Sequence, residues 1–248
     1  MDYEQALSKV PFYVIHPSLK PFIGEKYEEY KILIVGESHY INQTPKTQKF
    51  TIDYFATNWW EGSCSDLDAI YHGWYDTRSV VNDYLNGYRD HASSIFTNVV
   101  KPFSEVVLNQ PIDYINKEES QKFKYFSFMN FFQMPSLFFG KSFRDSLYVN
   151  GANIEVVNTV WDKARTVSIA VLDSVIDVIK PKVTIFVSSL AYDTFHGSNA
   201  NHKNDINIVR VCHPGCPWWY RRRKSDGKCG KDDFEDFLKQ FIIAECKT

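Results

Sequence analysis

The sequence predicts a single α/β domain with three layers, in which helices cover both faces of a central four-stranded parallel sheet. Four short apolar runs alternate with helical stretches, and each run ends in polar residues. Buried parallel strands are typically continuous apolar runs, and alternating strands and helices favour a parallel sheet. The chain has 248 residues, 44% of them hydrophobic and 16% aromatic, which is ample for a buried core. We therefore expect residues 1–248 to form one domain.

The first predicted strand lies in the stretch KILIVGESHY, residues 31–40. It follows residues 1–30, in which three prolines and two acidic clusters predict a lead-in segment with one short helix. In open α/β sheets, ligands bind just beyond the carboxyl ends of the strands. The residues expected at the mouth of a site are therefore Gly36, Glu37, Ser38, His39 and Tyr40.

Three more strands are predicted further along the chain, at residues 125–129, 183–187 and 206–211. Polar residues follow each of them, including Asn130, Ser188 and His213. Because parallel strands end at the same edge of a sheet, we expect these side chains to converge near Gly36. Four helices are predicted at residues 93–107, 156–179, 190–195 and 232–244. The first is expected to break at Lys101, because proline disfavours helical geometry in the residue before it.

Composition and net charge argue against membrane, secreted, disulfide-rich and nucleic-acid-coating proteins. No apolar stretch reaches 18 residues and the first residues are acidic, so the sequence predicts a cytoplasmic protein with neither a membrane span nor a signal peptide. The odd number and irregular spacing of the five cysteines favour reduced thiols. The net charge of −2 argues against a protein that coats nucleic acid.

Charge is concentrated in one segment. Residues 210–231 carry +6, which leaves −8 for the rest of the chain. A basic segment in an acidic molecule is either an edge that docks anions or a solvated loop, and composition alone leaves both interpretations open.

Two chemistries follow from spacing alone. Ser38 after a strand, with His213 as base and Asn130 as an oxyanion donor, resembles an SGNH esterase, but Val211 stands where those enzymes place an aspartate. Metal binding by Cys212, His213, Cys216 and Cys229 fits no common zinc spacing. The sequence therefore predicts no metal site and no cofactor.

Taken together, the strand ends resemble the uracil-DNA glycosylase superfamily. In that superfamily the first strand ends in a motif such as GQDPY or GEAPG, a middle strand ends in asparagine, and the last ends in HPS or HPA. The counterparts here are residues 36–40 (GESHY), Asn130 in FMNFFQMP, and residues 213–215 (HPG). The resemblance covers residues 31–243. It implies a uracil-DNA glycosylase-like fold and the excision of uracil or a related deaminated base from DNA.

The resemblance also implies roles for these residues. His213 would donate a hydrogen bond to the oxygen of the departing base, Asn130 would pair with the base edge, and Tyr40 would wall the pocket against a thymine methyl group. The backbone from Gly36 onward would line the base. The catalytic candidates are His213, Glu37, Ser38 and His39, and the base-binding candidates are Gly36, Tyr40 and Asn130.

DNA would be contacted by the segment that follows the histidine motif. In the superfamily this loop enters the minor groove and fills the gap left by the flipped base. The candidates here are Trp218 and Trp219 as wedges and Arg221, Arg222 and Arg223 as phosphate contacts. The implied partner is uracil-containing or otherwise damaged DNA, and we expect a monomer.

Ser38 and His39 depart from the motif. Ser38 stands where GQDPY has a water-activating aspartate, so an inactive or weakly active nucleobase-binding member of the same fold is the alternative prediction, with the Ser38 esterase as a third. Two other residues also match parts of these motifs. His16 begins an HPS sequence, but it precedes the first predicted strand and follows no strand of its own. Asn98 is a second candidate for the base-binding asparagine, and Asn130 is preferred because it ends a predicted strand.

Overall fold

The computed structural model describes residues 2–41, 47–48, 50–62, 75–88, 93–138, 140–148, 152–204 and 207–245. These residues form a mixed α/β fold with eleven α-helices and a five-stranded, mostly parallel sheet. The strands are β1 (Phe22–Ile23), β2 (Ile32–Gly36), β3 (Phe126–Asn130), β4 (Val183–Phe186) and β5 (Asn207–Arg210). None of the helices in this part of the chain is both long and apolar enough to cross a membrane.

The helices are short except for three. In chain order they are α1 (Tyr3–Leu7), α2 (Pro11–Ile15), α3 (Tyr27–Tyr30), α4 (Ile52–Asn58), α5 (Thr77–Leu85), α6 (Ser93–Val106), α7 (Lys117–Ser120), α8 (Phe143–Leu147), α9 (Ile154–Ile179), α10 (Ser189–His196) and α11 (Gly230–Glu245). Single 3₁₀ turns lie at Pro17–Leu19, Trp59–Glu61, Gln121–Tyr125, Asn201–Asn204 and Pro217–Trp219.

The sheet has the strand order β1-β3-β2-β4-β5. The four predicted strands are all present and pair in parallel with their neighbours, and β2 lies between β3 and β4. The prediction of a four-stranded sheet missed β1, which pairs antiparallel with β3 at the edge. A strand of two residues is too short to give an alternating pattern, so the sequence carries no signal for it.

Hydrophobic clusters lie on both faces of β2. Leu33 and Val35 belong to a cluster that includes apolar residues of α4, α9 and α10, whereas Ile32 and Ile34 belong to a second cluster with α5, α6 and α11. Successive strand residues point to opposite faces, so this alternation means that helices cover both sides of the sheet. Every residue of β2 is buried, as the continuous apolar run predicts.

Two helix predictions were wrong. The helix predicted to break at Lys101 is continuous as α6, with Pro102 inside it. Pro102 and Phe103 are both buried, so packing against the second cluster outweighs the lost backbone hydrogen bond. The first 30 residues hold α1, α2, α3 and β1 rather than one short helix. The other three predicted helices are confirmed as α9, α10 and α11, with ends shifted by up to two residues.

Candidate functional site

The segment after β2 continues alongside the segment after β3. The amides of Phe131 and Phe132 donate to the carbonyls of Gly36 and Glu37 at 3.0 and 2.8 Å. The pairing extends to a parallel bridge between Tyr40 and residue 136. These bonds hold the GESHY residues in an extended path at the carboxyl edge of the sheet.

Gly36 lies directly opposite Asn130 in the register of β2 and β3. A Cβ atom at residue 36 would come within 2.3 Å of Asn130 Oδ1, so only glycine lets the asparagine lie across this position. Asn130 is 9% exposed, and its side-chain amide makes no hydrogen bond to any residue that the structure describes. A planar donor and acceptor therefore stand at the sheet edge without a protein partner.

Glu37 joins three segments at this edge. Its Oε1 accepts a hydrogen bond from the amide of Phe143, the first residue of α8, at 2.6 Å. Its Oε2 accepts one from Ser188 Oγ, also at 2.6 Å, and Ser188 in turn caps α10 by accepting from Ala191 N at 3.2 Å. The carboxylate thus ties the end of β2 to the start of α8 and to the segment after β4. Sequence reasoning placed Glu37 and Ser188 at one edge but missed this bond.

Ser38 points into the protein. It is 6% exposed, and its hydroxyl has no hydrogen-bond partner among the described residues. A serine nucleophile is activated by a base within hydrogen-bond reach. The esterase alternative therefore has no nucleophile and base pair to support it in the described residues.

His39 also turns away from the sheet edge. Its Nε2 lies 3.0 Å from Thr77 Oγ1 in α5, and burial lowers its pKa to about 4, a shift that the nearby Asp76 carboxylate opposes. The ring is therefore neutral at pH 7. Burial likewise raises the pKa of Tyr40, with Glu37 contributing, so the phenol stays protonated. The contact with Thr77 was missed, although the N-cap Asp76 marks the start of α5 in the sequence.

His213 lies in the loop after β5, at the same sheet edge as Gly36 and two strands away. Its Nδ1 accepts a hydrogen bond from Gly215 N at 3.0 Å, and burial lowers its pKa. A neutral imidazole whose Nδ1 accepts must carry its proton on Nε2. His213 therefore offers a fixed Nε2–H donor.

Asn98 and Gly215 position this loop. Asn98 Nδ2 donates to the carbonyl of Pro214 at 2.6 Å, and Asn98 Oδ1 accepts from Tyr220 Oη at 2.5 Å. A Cβ at residue 215 would lie 2.8 Å from Ser94 Oγ and 3.1 Å from the ring of His213. Both polar atoms of the Asn98 side chain are thus hydrogen-bonded to the histidine loop or to Tyr220, whereas the Asn130 side chain makes no hydrogen bond to the described residues.

His16 has a structural role. Its Nε2 lies 2.8 Å from the carbonyl oxygen of Trp59, and the two rings stack with centroids 4.3 Å apart. Burial lowers its pKa to about 4. The histidine that spells the motif before β2 therefore packs within the protein.

The two tryptophans predicted to contact DNA have different environments. Trp219 is fully buried and packs against Phe234 of α11, with ring centroids 5.8 Å apart. Trp218 is 52% exposed, and the guanidinium of Arg221 lies 4.8 Å from its ring centroid. The predicted role of Trp219 as a DNA wedge is therefore incompatible with its packing, whereas Trp218 and Arg221 form an exposed pair that we call the Trp218 platform.

Most of the basic segment is already paired with carboxylates. Arg222 lies 3.2 Å from Asp232, and Arg223 lies 2.8 and 2.5 Å from Asp226 and Asp233. Three other cations of the segment have carboxylate partners, namely Arg210, Lys228 and Lys231. Within the described residues, only Arg221 and Lys224 lack one. The charge available for phosphate contact is therefore smaller than the sequence suggested, and part of it is Arg221 of the Trp218 platform.

Other features of the surface lie apart from this edge. Among the residues that the structure describes, no group of three or more His, Cys, Asp or Glu side chains is arranged to hold a metal ion. An open groove runs between α9 and residues 194–201, and no strand-end residue lines it. Comparison of the chain with protein-family models, curated proteins and solved structures finds no match.

Replacing Glu37 by alanine should lower the free energy of unfolding by about 2–4 kcal/mol, because the Phe143 amide and the Ser188 hydroxyl both lose a charged acceptor. Glu37→Gln keeps the shape and one acceptor, so it should cost less than half as much. Urea unfolding measures both values. An equal loss in the free energy of unfolding in the two variants would contradict the role of the carboxylate as the acceptor that links these segments.

Stability should also fall with pH through the buried histidines. The pKa of His16 and of His39 is about 4 in the folded protein, against about 6.5 for an unperturbed histidine, so the unfolded chain binds these protons first. The stabilisation is complete above pH 6.5 and decreases as the pH falls toward 4, by about 1–2 kcal/mol per histidine at pH 5.

Urea titrations of wild type, His39→Asn and the control His196→Asn at pH 7.5 and pH 5 check this expectation. His196 is exposed at the end of α10 and serves as the control for loss of a surface histidine. His39→Asn should reduce the pH dependence of the free energy of unfolding relative to wild type. An identical pH dependence in all three proteins would rule out the contribution of His39.

Proposed function

We propose that this chain binds a nucleobase at the carboxyl edge of its sheet and excises uracil, or a related deaminated base, from DNA by hydrolysing the N-glycosidic bond. The observation that carries the proposal is the Asn130 side chain, which is nine-tenths buried, lies over Gly36 and makes no hydrogen bond to the described residues. The donor and acceptor of this amide are therefore available to a ligand that reaches the sheet edge.

The proposal includes a uracil-DNA glycosylase-like fold. In support, the four parallel strands β3, β2, β4 and β5 deliver Asn130, Gly36, Ser188 and His213 to one edge. Ligand sites in open α/β sheets lie at this edge. The antiparallel β1 extends the sheet on the side away from His213 and leaves this arrangement intact.

Asn130 is suited to read a pyrimidine edge. Uracil offers one acceptor, O4, and one donor, N3–H, side by side, and the asparagine amide offers the complementary donor and acceptor in one plane. Gly36 provides the space in which Asn130 lies. The protonated phenol of Tyr40, which is half-buried on the same extended segment, would form a wall beside the base.

His213 would stabilise the departing base. When the glycosidic bond breaks, its electron pair moves to the base and negative charge develops on the base oxygens, while the sugar becomes cationic and is captured by water. The Nε2–H of neutral His213 is a preorganised donor for such an oxygen. A donor of this kind contributes roughly 3–4 kcal/mol to the transition state.

Among the three other catalytic candidates, Glu37 is the one best placed to orient water. Ser38 is enclosed and His39 is bonded to Thr77, so neither faces the edge. Each oxygen of Glu37 accepts one hydrogen bond and keeps a second acceptor position. The inward orientation of Ser38 and His39 also favours the second candidate function, a member of the fold that binds nucleobases without cleaving the bond.

Incubation of the protein with single- and double-stranded uracil-containing oligonucleotides should yield abasic sites, detected as alkali-labile breaks. Asn130→Ala and His213→Ala should each reduce the rate by about 100-fold, because each removes a donor used in the transition state. His202→Ala, a surface histidine paired with Asp177, is the matched control and should retain full activity. Circular dichroism establishes that the variants fold.

Two outcomes would overturn parts of the proposal. An absence of product with uracil and with other deaminated bases would exclude the glycosylase, and salt-sensitive DNA binding in the same preparation would then favour the binding function. Full activity of His213→Ala would show that another residue stabilises the departing base.

The Trp218 platform should contact DNA, whereas Trp219 should support the fold. We expect Trp218→Ala to weaken binding of single-stranded DNA by roughly 5-fold or more, since stacking contributes about 1–3 kcal/mol per base, and to change stability by less than about 0.5 kcal/mol. Trp219→Ala should instead destabilise the protein by about 3–5 kcal/mol.

Fluorescence anisotropy with a labelled oligonucleotide and urea unfolding separate the two effects. Lys224→Ala removes the other cation of the segment that lacks a carboxylate partner in the described residues, and its effect on affinity measures the contribution of charge alone. Unchanged DNA affinity in Trp218→Ala would exclude the platform from the interface.

A further inference from the structure

Two cysteines flank the histidine loop on both sides. Cys212 and Cys216 bracket His213, Pro214 and Gly215, and their sulfur atoms lie 3.0 Å apart. Both side chains are partly exposed thiols. A small oxidant can therefore reach them.

The backbone holds the two sulfurs in this position. The amide of Cys216 donates to the carbonyl of His213 at 3.0 Å, which closes a turn, and the Cys216 carbonyl accepts from Trp219 N at 3.0 Å. Cys212 lies against Gly230 at the start of α11, where an added Cβ would come within 2.6 Å of Cys212 Cβ. A covalent bond, at about 2.05 Å, requires the sulfurs to approach by only about 1 Å.

The two thiols have unequal reactivity. Burial, together with the hydrogen bond to Cys216, raises the pKa of Cys212 to about 12, so Cys212 remains protonated at neutral pH. A protonated thiol is a poor nucleophile, so we assign the first attack to Cys216. Cys212, whose sulfur lies 3.0 Å away, is placed to resolve the oxidised product.

We propose that Cys212 and Cys216 are a redox modification site, at which a hydroperoxide converts the pair into a reversible intrachain disulfide around His213. The Cys216 thiolate attacks one peroxide oxygen, the O–O bond breaks, and uptake of a proton releases water and leaves a sulfenic acid. Cys212 then loses its proton and attacks that sulfur, and the hydroxyl group departs as a second water. Two thiols lose two electrons and two protons, and hydrogen peroxide is reduced to two waters.

The disulfide alters the surroundings of the His213 ring. It shortens the link between the two ends of the turn that contains His213, whose Nδ1 is held by Gly215 N within the same turn. The imidazole titration is therefore expected to shift between the reduced and oxidised forms. This inference does not depend on glycosylase activity.

Treatment of the reduced 248-residue chain with hydrogen peroxide, followed by catalase and alkylation in denaturant, tests the site. The number of alkylated cysteines should fall from five to three, and the mass of the protein before alkylation should decrease by two hydrogen atoms. Peptide mapping should place the bridge between Cys212 and Cys216, and dithiothreitol should restore all five thiols. Titration of the His213 ring by NMR should differ between the two forms.

Two variants sharpen the test. Cys216→Ser should leave Cys212 alkylated after peroxide, whereas Cys229→Ser, which removes a buried thiol, should still form the bridge. Cys64 and Cys246 lie outside the described residues, and a bridge that involves either of them would overturn the assignment. The assignment would also be overturned if Cys212 and Cys216 were still alkylated after peroxide treatment. Oxidation of Cys216 beyond the sulfenic acid, with no bridge formed, would overturn it as well. The map of the wild-type protein decides these points even if a variant fails to fold.

Discussion

The parallel pairing of β2 with β3 is the constraint on which the site depends. Its register sets Gly36 opposite Asn130, and the missing side chain at residue 36 is what allows the amide of Asn130 to lie across the strand end. A slip by one residue would turn the buried faces of β2 toward the wrong clusters, so the same apolar packing that stabilises the sheet also positions the site. Glu37, the next residue, extends this order to α8 and to the segment after β4.

The four parallel strands and the three later helices were predictable from the sequence because each has an apolar pattern that burial of its side chains explains. Features that depend on contacts between distant parts of the chain were not predictable. The break expected at Pro102 is outweighed by packing of α6, and β1 is too short to show a period. Which of two adjacent tryptophans is buried depends on how the turn at Pro217–Trp219 meets α11, and a local pattern does not contain that information.

The candidate site likewise has features that the sequence predicts and features that it does not. Residue type and position after a strand were sufficient to place Asn130, Gly36 and Glu37 at one edge, because the topology of parallel sheets fixes this. The direction of the His39 side chain depends on its contact with α5, whose Thr77 is 38 residues away along the chain. Most cations of the basic segment form ion pairs, several of them with carboxylates of α11. Arg222 and Arg223, for example, pair with Asp232 and Asp233, each ten residues further along the chain.

His39 and His213 show how environment sets the chemistry of one residue type. Both rings are buried enough that the neutral form dominates at pH 7, but Nε2 of His39 faces Thr77, whereas in His213 it is Nδ1 that is occupied and the Nε2–H that is left to donate. A neutral donor stabilises negative charge on a leaving group without first losing a proton. An enclosed imidazole bonded to a threonine has no access to water as a base. For the function proposed above, these two environments suit His213 to stabilise negative charge on a leaving group and leave His39 unsuited to act as a base.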